Sequence, residues 1–125
     1  MRIKMCSIPV DDAAGAFAFY TGTLGFEQLL AVEEAQLYVV RAPQEPSGPG
    51  LLLEPAEHEA ARRYKESLRE AGVPVIVLGS DDVRAEHERL RAAGVVFTGE
   101  PTSDESGTHA TFDDGFGNFV QIHQD

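Results

Sequence analysis

The sequence predicts an α+β fold built from two tandem βαβββ modules, and three observations carry that prediction. An apolar strand-like run, a pair of aspartates, a helical stripe, a glycine and further strands occur twice in the same order. The aspartate pairs, Asp11-Asp12 and Asp81-Asp82, stand 70 positions apart, and Gly25 and Gly94 follow them at nearly equal distances. The chain has 125 residues, so each module has about 55, which is marginal alone, and the sheets are expected to be buried together or against a second chain. A single domain with a curved mixed sheet around a cleft follows, and the cleft is where a site is expected.

In the first module, about residues 1–55, Ile3–Val10 is apolar and β-branched and reads as a strand. Asp11 and Asp12 offer an N-cap, and Ala13, Ala16/Phe17, Tyr20 and Leu24 recur at helical spacing up to Gly25. Residues 26–32 and 35–42 read as two strands joined at Glu33-Glu34. The Pro- and Gly-rich residues 43–50 form a loop, and 50–54 a short apolar strand. Pro55 opens a connector helix over about residues 56–72, with Ala60, Tyr64, Leu68 and Ala71 as its stripe and Glu59/Arg63 as an i,i+4 pair. In the second module, about residues 73–125, Val73–Leu78 is a strand, and Asp82 caps a helix with Val83, His87 and Leu90 as its stripe. A strand at 95–98, a polar loop at 100–107 and a strand pair at 108–112 and 118–123 complete the repeat.

The 21 acidic residues outnumber the 10 basic ones, giving a net charge of −11. Such a surface repels phosphate backbones and anionic head groups, so neither nucleic acid nor membrane is expected as a partner. It solubilises the chain and is compatible with a cationic small-molecule ligand. The single cysteine, Cys6, excludes an internal disulfide and sits in an apolar run as an expected buried residue. No run approaches the roughly 18 apolar residues needed to span a bilayer, and the cytoplasm is the expected compartment.

The strand Met1–Val10 followed by Asp12, Phe19-Tyr20 and Leu24-Gly25-Phe26 resembles the opening of the vicinal oxygen chelate superfamily of glyoxalases, bleomycin-resistance proteins and extradiol dioxygenases. Asp82-Val83, the run Leu90–Val95 and the segment Asp114-Gly115-Phe116-Gly117-Asn118 entering Phe119–Ile122 extend the resemblance through the second half. Gly115 stands where that family's last motif has proline. The resemblance implies a glyoxalase/bleomycin resistance/dioxygenase-like fold and a homodimer. It also implies four inward-facing metal-ligand positions, which fall at Met5, Glu54, Val75 and Gln121.

A hard divalent ion needs oxygen or imidazole donors, so Met5 and Val75 cannot serve it. Glu54 is a good ligand and Gln121 a weak one, and two oxygen donors do not make a catalytic metal site. No cofactor is therefore expected, and a divalent metal is disfavoured. Alternation from those positions points Met5, Ser7, Leu52, Glu54, Val75, Phe119, Gln121 and His123 into the cleft, with Cys6 and Ile8 packed beneath the helices. Tyr38 and Phe112 are aromatic candidates for its walls. Glu54 and His123 are the candidate catalytic bases, Glu54 pairing with a cation or an arginine and His123 either reaching the cleft or ending the chain near solvent. His109 is a loop residue at the mouth, His87 a packed residue and His58 a solvated one. The leading reading is a metal-free small-molecule-binding protein. A lyase, isomerase or dioxygenase of the same superfamily, and an interaction module with a filled cleft, are the alternatives.

Overall fold

The two aspartate pairs start their helices as the sequence predicts. Asp12 Oδ1 accepts the Gly15 N–H at 3.0 Å, and Asp82 Oδ1 accepts the Ala85 N–H at 3.0 Å. Each cap satisfies one of the amides that a first helical turn leaves without an intrahelical partner. The computed structural model describes residues 1–125. Its strands and helices run β1 (Met5–Val10), α1 (Ala13–Gly22), β2 (Glu27–Val32), β3 (Leu37–Arg41), β4 (Gly50–Pro55), α2 (Glu59–Glu70), β5 (Ile76–Gly79), α3 (Val83–Ala92), β6 (Val96–Phe97), β7 (Thr102–Asp104), β8 (Gly107–Asp113) and β9 (Phe119–Gln124). A 3₁₀ turn, Glu33–Ala35, joins β2 to β3. The chain divides into two compact units, Met1–Tyr64 and Lys65–Asp125, so the break falls inside α2.

In the first unit the sheet order is β1-β4-β3-β2, with β1 parallel to β4 and the remaining pairs antiparallel. In the second it is β5-β9-β8-β6, with β5 parallel to β9. Each module thus closes by laying its last strand beside its first, and the repeat in the sequence is a repeat in topology. The expected polar loop at 100–107 is a correction. It forms a hairpin in which Thr102 pairs with His109, Ser103 with Thr108 and Asp104 with Gly107. The counterpart of β2 is therefore split into β6 and β7, both bonded to β8. Gly107 has φ +129, and a Cβ there would overlap the Gln124 carbonyl oxygen, so only glycine fits the tip.

One face of each sheet lies under a single helix. In the first unit Ala13, Ala16 and Tyr20 of α1 are buried with Ile8, Val10, Leu51 and Leu53. In the second, Val83, His87 and Leu90 of α3 are buried with Ala110, Phe112, Val120 and Ile122. Each large apolar side chain sealed in this way contributes roughly 1.5–3 kcal/mol. His87 is a packed residue, its ring edge-on to Phe97 at 4.4 Å.

Two further expectations are corrected. Cys6 is exposed, because burial on β1 begins only at Ile8. The covered side of α2 is Ala61, Lys65 and Leu68 rather than Ala60, Tyr64, Leu68 and Ala71; Lys65 is 6% exposed and Tyr64 52%. A lysine stem of four methylenes packs like an aliphatic chain, which a pattern read from residue polarity misses.

Replacing Asp12 or Asp82 by alanine should cost about 1 kcal/mol each, and replacement by serine much less. Urea unfolding of the single variants measures this; equal stability of Asp82→Ala and the parent would contradict the capping role.

Candidate functional site

The strand register decides which side chains share the face not covered by a helix. In the first unit Met5 stands opposite Gly50, Ser7 opposite Leu52 and Pro9 opposite Glu54, while Val39 pairs with Leu52. Met5, Ser7, Leu52 and Glu54 therefore lie on one open face, as the alternation predicts. Apolar side chains on or beside it are left to solvent, with Ile3 68%, Met5 51% and Leu30 43% exposed. Gly50 lets Val39 Cγ1 and Leu29 Cδ2 close over β4, since a Cβ would meet them at 2.8 and 3.2 Å. Glu54 is exposed.

In the second unit the open face carries Phe119, Gln121 and His123 of β9, opposite Asp113, Thr111 and His109 of β8. Val77 pairs with Gln121, and Val75 donates its N–H to the Phe119 carbonyl at 2.9 Å, placing Val75 at the same edge. Tyr38 and Phe112 are corrections. Tyr38 is 4% exposed and stacks on Phe17 of α1 at 5.0 Å, and Phe112 is fully buried against Phe97 at 5.5 Å. Both take the helix side of their strands, one step out of phase with the open face.

Two arrangements on this second face were not legible in the sequence. Arg69 of α2 bonds Asp113 Oδ2 at 2.6 Å and lies 4.7 Å over the Phe119 ring. The guanidinium holds the Asp113 carboxyl below the usual carboxylate range and adds a cation–π contact to a side chain predicted only as lining. At the other end the β7–β8 hairpin gathers a polar network. Asp104 Oδ1 accepts the Ser106 N–H at 2.8 Å and its hydroxyl at 2.6 Å, and Oδ2 lies 3.1 Å from His109 Nε2. His123 Nε2 is 3.4 Å from Ser106 Oγ, and the His109 and His123 rings are parallel, 6.3 Å apart. Donation from Ser106, then from His109, holds the Asp104 carboxyl at about 2, below its ordinary 3.8. His109 and His123 lie on the strands expected at 108–112 and 118–123, and the register between those strands makes them a direct cross-strand pair.

The segment that ends the sequence motif works as a scaffold. Asp114, 2% exposed, accepts the N–H groups of Phe116 at 2.7 Å and Asn118 at 3.1 Å on Oδ1, and the Asn118 side-chain amide at 3.1 Å on Oδ2. This closes the β8–β9 turn and sets the register of Phe119, Gln121 and His123.

The four metal-ligand positions implied by the fold do not fit a metal. Met5 offers a soft thioether and Val75 no lone pair. Met5 and Glu54 share a face but stand four strand positions apart, about 13 Å by strand rise. No group of three His, Cys, Asp or Glu side chains is arranged to hold an ion.

This fold is that of a known class. The chain belongs to the Glyoxalase/Bleomycin resistance protein/Dioxygenase superfamily, whose family model matches residues 2–122. It is 39% identical over 126 residues to the uncharacterised protein YurT of Bacillus subtilis (strain 168), covering 99% of each chain. Among solved structures it is similar to UcmS2, with a TM-score of 0.81 and 32% identity over 98% of this chain and 97% of that one. It is also similar to TnmS3, an antibiotic binding protein from Streptomyces sp. CB03234, with a TM-score of 0.74 and 25% identity over 99% and 95% of the two chains. No helix is long and apolar enough to cross a membrane.

Two outcomes follow from this geometry. Asp114→Ala should destabilise the protein by about 2–3 kcal/mol, because it strips a buried charged acceptor from three donors; a loss below 1 kcal/mol in urea unfolding would contradict the scaffold role. Folding lowers the Asp104 pKa, so its network stabilises the protein fully above 3.8 and is lost as pH falls through about 2. A carboxyl NMR titration should place Asp104 near 2, moving toward 3.8 in Ser106→Ala and by less in His109→Gln.

Proposed function

We propose that the protein is a metal-free binding protein for a bulky organic small molecule. The observation that carries this reading is the donor set at the four ligand positions, Met5, Glu54, Val75 and Gln121, which supplies a lining and not a coordination sphere. The ligand lies against an open sheet face, for which the candidate contacts are Met5, Ser7, Leu52 and Glu54 in the first unit and, taken separately, Val75, Phe119, Gln121 and His123 in the second. An apolar surface with a few polar groups is how small-molecule sites are commonly built. The similarity to an antibiotic binding protein supports the ligand class. Glu54 and the net charge of −11 favour a cationic ligand over an anionic one.

A second copy of the chain completes the assembly. Val73, Val77 and Val96 are 44%, 57% and 69% exposed, as Ile3 and Met5 are in the first unit, and burying these side chains in a homodimer removes them from water. The protein acts in the cytoplasm, a setting its one unpaired cysteine suits.

Thermal shift against cationic glycopeptides and planar aromatic antibiotics, in chelator, tests the binding. A ligand at 100 times its Kd stabilises by about 2.7 kcal/mol, which moves Tm by several degrees. Glu54→Gln should weaken a cationic ligand about tenfold. Turnover of a glutathione–methylglyoxal adduct, or binding that chelator abolishes, would overturn the reading. Light scattering should give twice the chain mass, and a charge at Val77 (Val77→Glu) should return the monomer.

A further inference from the structure

The basic residues of the first unit are unevenly placed. Arg2, Lys4 and Arg41 are the only lysines or arginines before Arg62, and all of them line one recess of about 130 Å³ together with Leu29, Ser47 and Gly48. No acidic residue lines it. The recess lies at the end of the sheet where β1 and β4 begin and β3 ends, and strand register assembles it. Glu27 pairs with Arg41 and Met5 with Gly50, and Gly50 donates its N–H to the Lys4 carbonyl at 3.0 Å. That bond fixes the backbone carrying Arg2 and Lys4 against the start of β4. Two successive reversals, Glu45 N–H to the Ala42 carbonyl at 3.1 Å and Gly48 N–H to the Glu45 carbonyl at 2.8 Å, bring Ser47 and Gly48 to the same place.

Arg41 is positioned without being used up. Glu27 Oε2 accepts its Nε–H at 3.3 Å, which leaves the two terminal NH₂ groups of the guanidinium with no protein acceptor. The side chains of Arg2, Lys4 and Ser47 likewise have no protein partner. Of the carboxylates nearby, Glu27 is engaged with Arg41, and Glu45 stands beside Gly48, so the cations outnumber them. Like charges gathered on one recess repel each other, and an anion carrying more than one charge relieves that repulsion. The free end of an arginine fork fits two oxygens of a phosphate at once, and lysine adds a point charge to it. The recess has the volume of about four waters, room for one phosphate group. Elsewhere the chain's net charge of −11 repels extended polyanions, which leaves the recess to a small one. We infer that this recess binds the phosphate group of a small molecule, held by Arg41, Lys4 and Arg2 with the Ser47 hydroxyl. None of these residues is a contact of the open-face ligand, so the site stands or falls apart from that reading.

Inorganic phosphate at about pH 7.5, where it is mostly a dianion, is the probe. Sodium chloride of equal ionic strength controls for screening, and malonate supplies two negative charges on separate centres. Titration followed by amide NMR should give saturable millimolar shifts at Lys4, Leu29, Arg41, Ser47 and Gly48. Arg41→Gln and the double variant Arg2→Gln/Lys4→Gln should each weaken binding about fivefold or more. Arg41→Lys keeps the charge but not the fork, and should recover only part of the loss. Arg63→Gln removes a charge paired with Glu59 on α2 and should change nothing. Malonate should bind more weakly than phosphate. A response no larger than that to chloride, equal losses in Arg63→Gln and Arg41→Gln, or malonate binding as tightly as phosphate would each overturn the assignment.

Discussion

Each sheet is sealed on one side by one helix, and strand alternation then determines the chemistry of the other side. Ile8, Val10, Leu51 and Leu53 cannot leave the core beneath α1 without exposing apolar surface, so Ser7, Leu52 and Glu54 are fixed on the opposite face. The same constraint acts through Val120 and Ile122 in the second unit, where it presents Phe119, Gln121 and His123. A slip of one residue in either sheet would exchange core for site. The two aspartate caps and the Asp114–Asn118 turn matter because they hold that register from the ends of the elements.

What the open faces can do is limited by their atoms. One exposed carboxylate, one amide and a pair of imidazoles are dispersed among valine, leucine, methionine and phenylalanine. Polar chemistry is instead tied up locally: Asp104 is bonded to Ser106 and His109, and Asp113 to Arg69. A surface of this kind makes contact area and a few oriented hydrogen bonds, which suits holding a molecule better than transforming it.

The order of elements, both N-caps, both helix stripes next to the sheets and the open-face residues of β1, β4 and β9 were legible in the sequence, because each follows from a period of 2 or 3.6. Tyr38 and Phe112 were misplaced because an aromatic residue suits either face of a strand, and only the register distinguishes them. The β7–β8 hairpin was taken for a loop because its residues are polar on both faces, leaving no alternation to read. That error also concealed the Asp104–Ser106 bonds that His109 joins. Arg69 over Phe119 and the Lys65 stem on the covered side of α2 depend on how long side chains lie, which residue polarity does not encode.

The central claim is that this member of the superfamily binds its ligand without a metal. Metal analysis of protein purified without chelator, paired with a crystal structure of the same sample with bound ligand, tests it most directly. Metal-free binding predicts substoichiometric metal and ligand density against an open sheet face. One tightly held divalent ion per chain would contradict it.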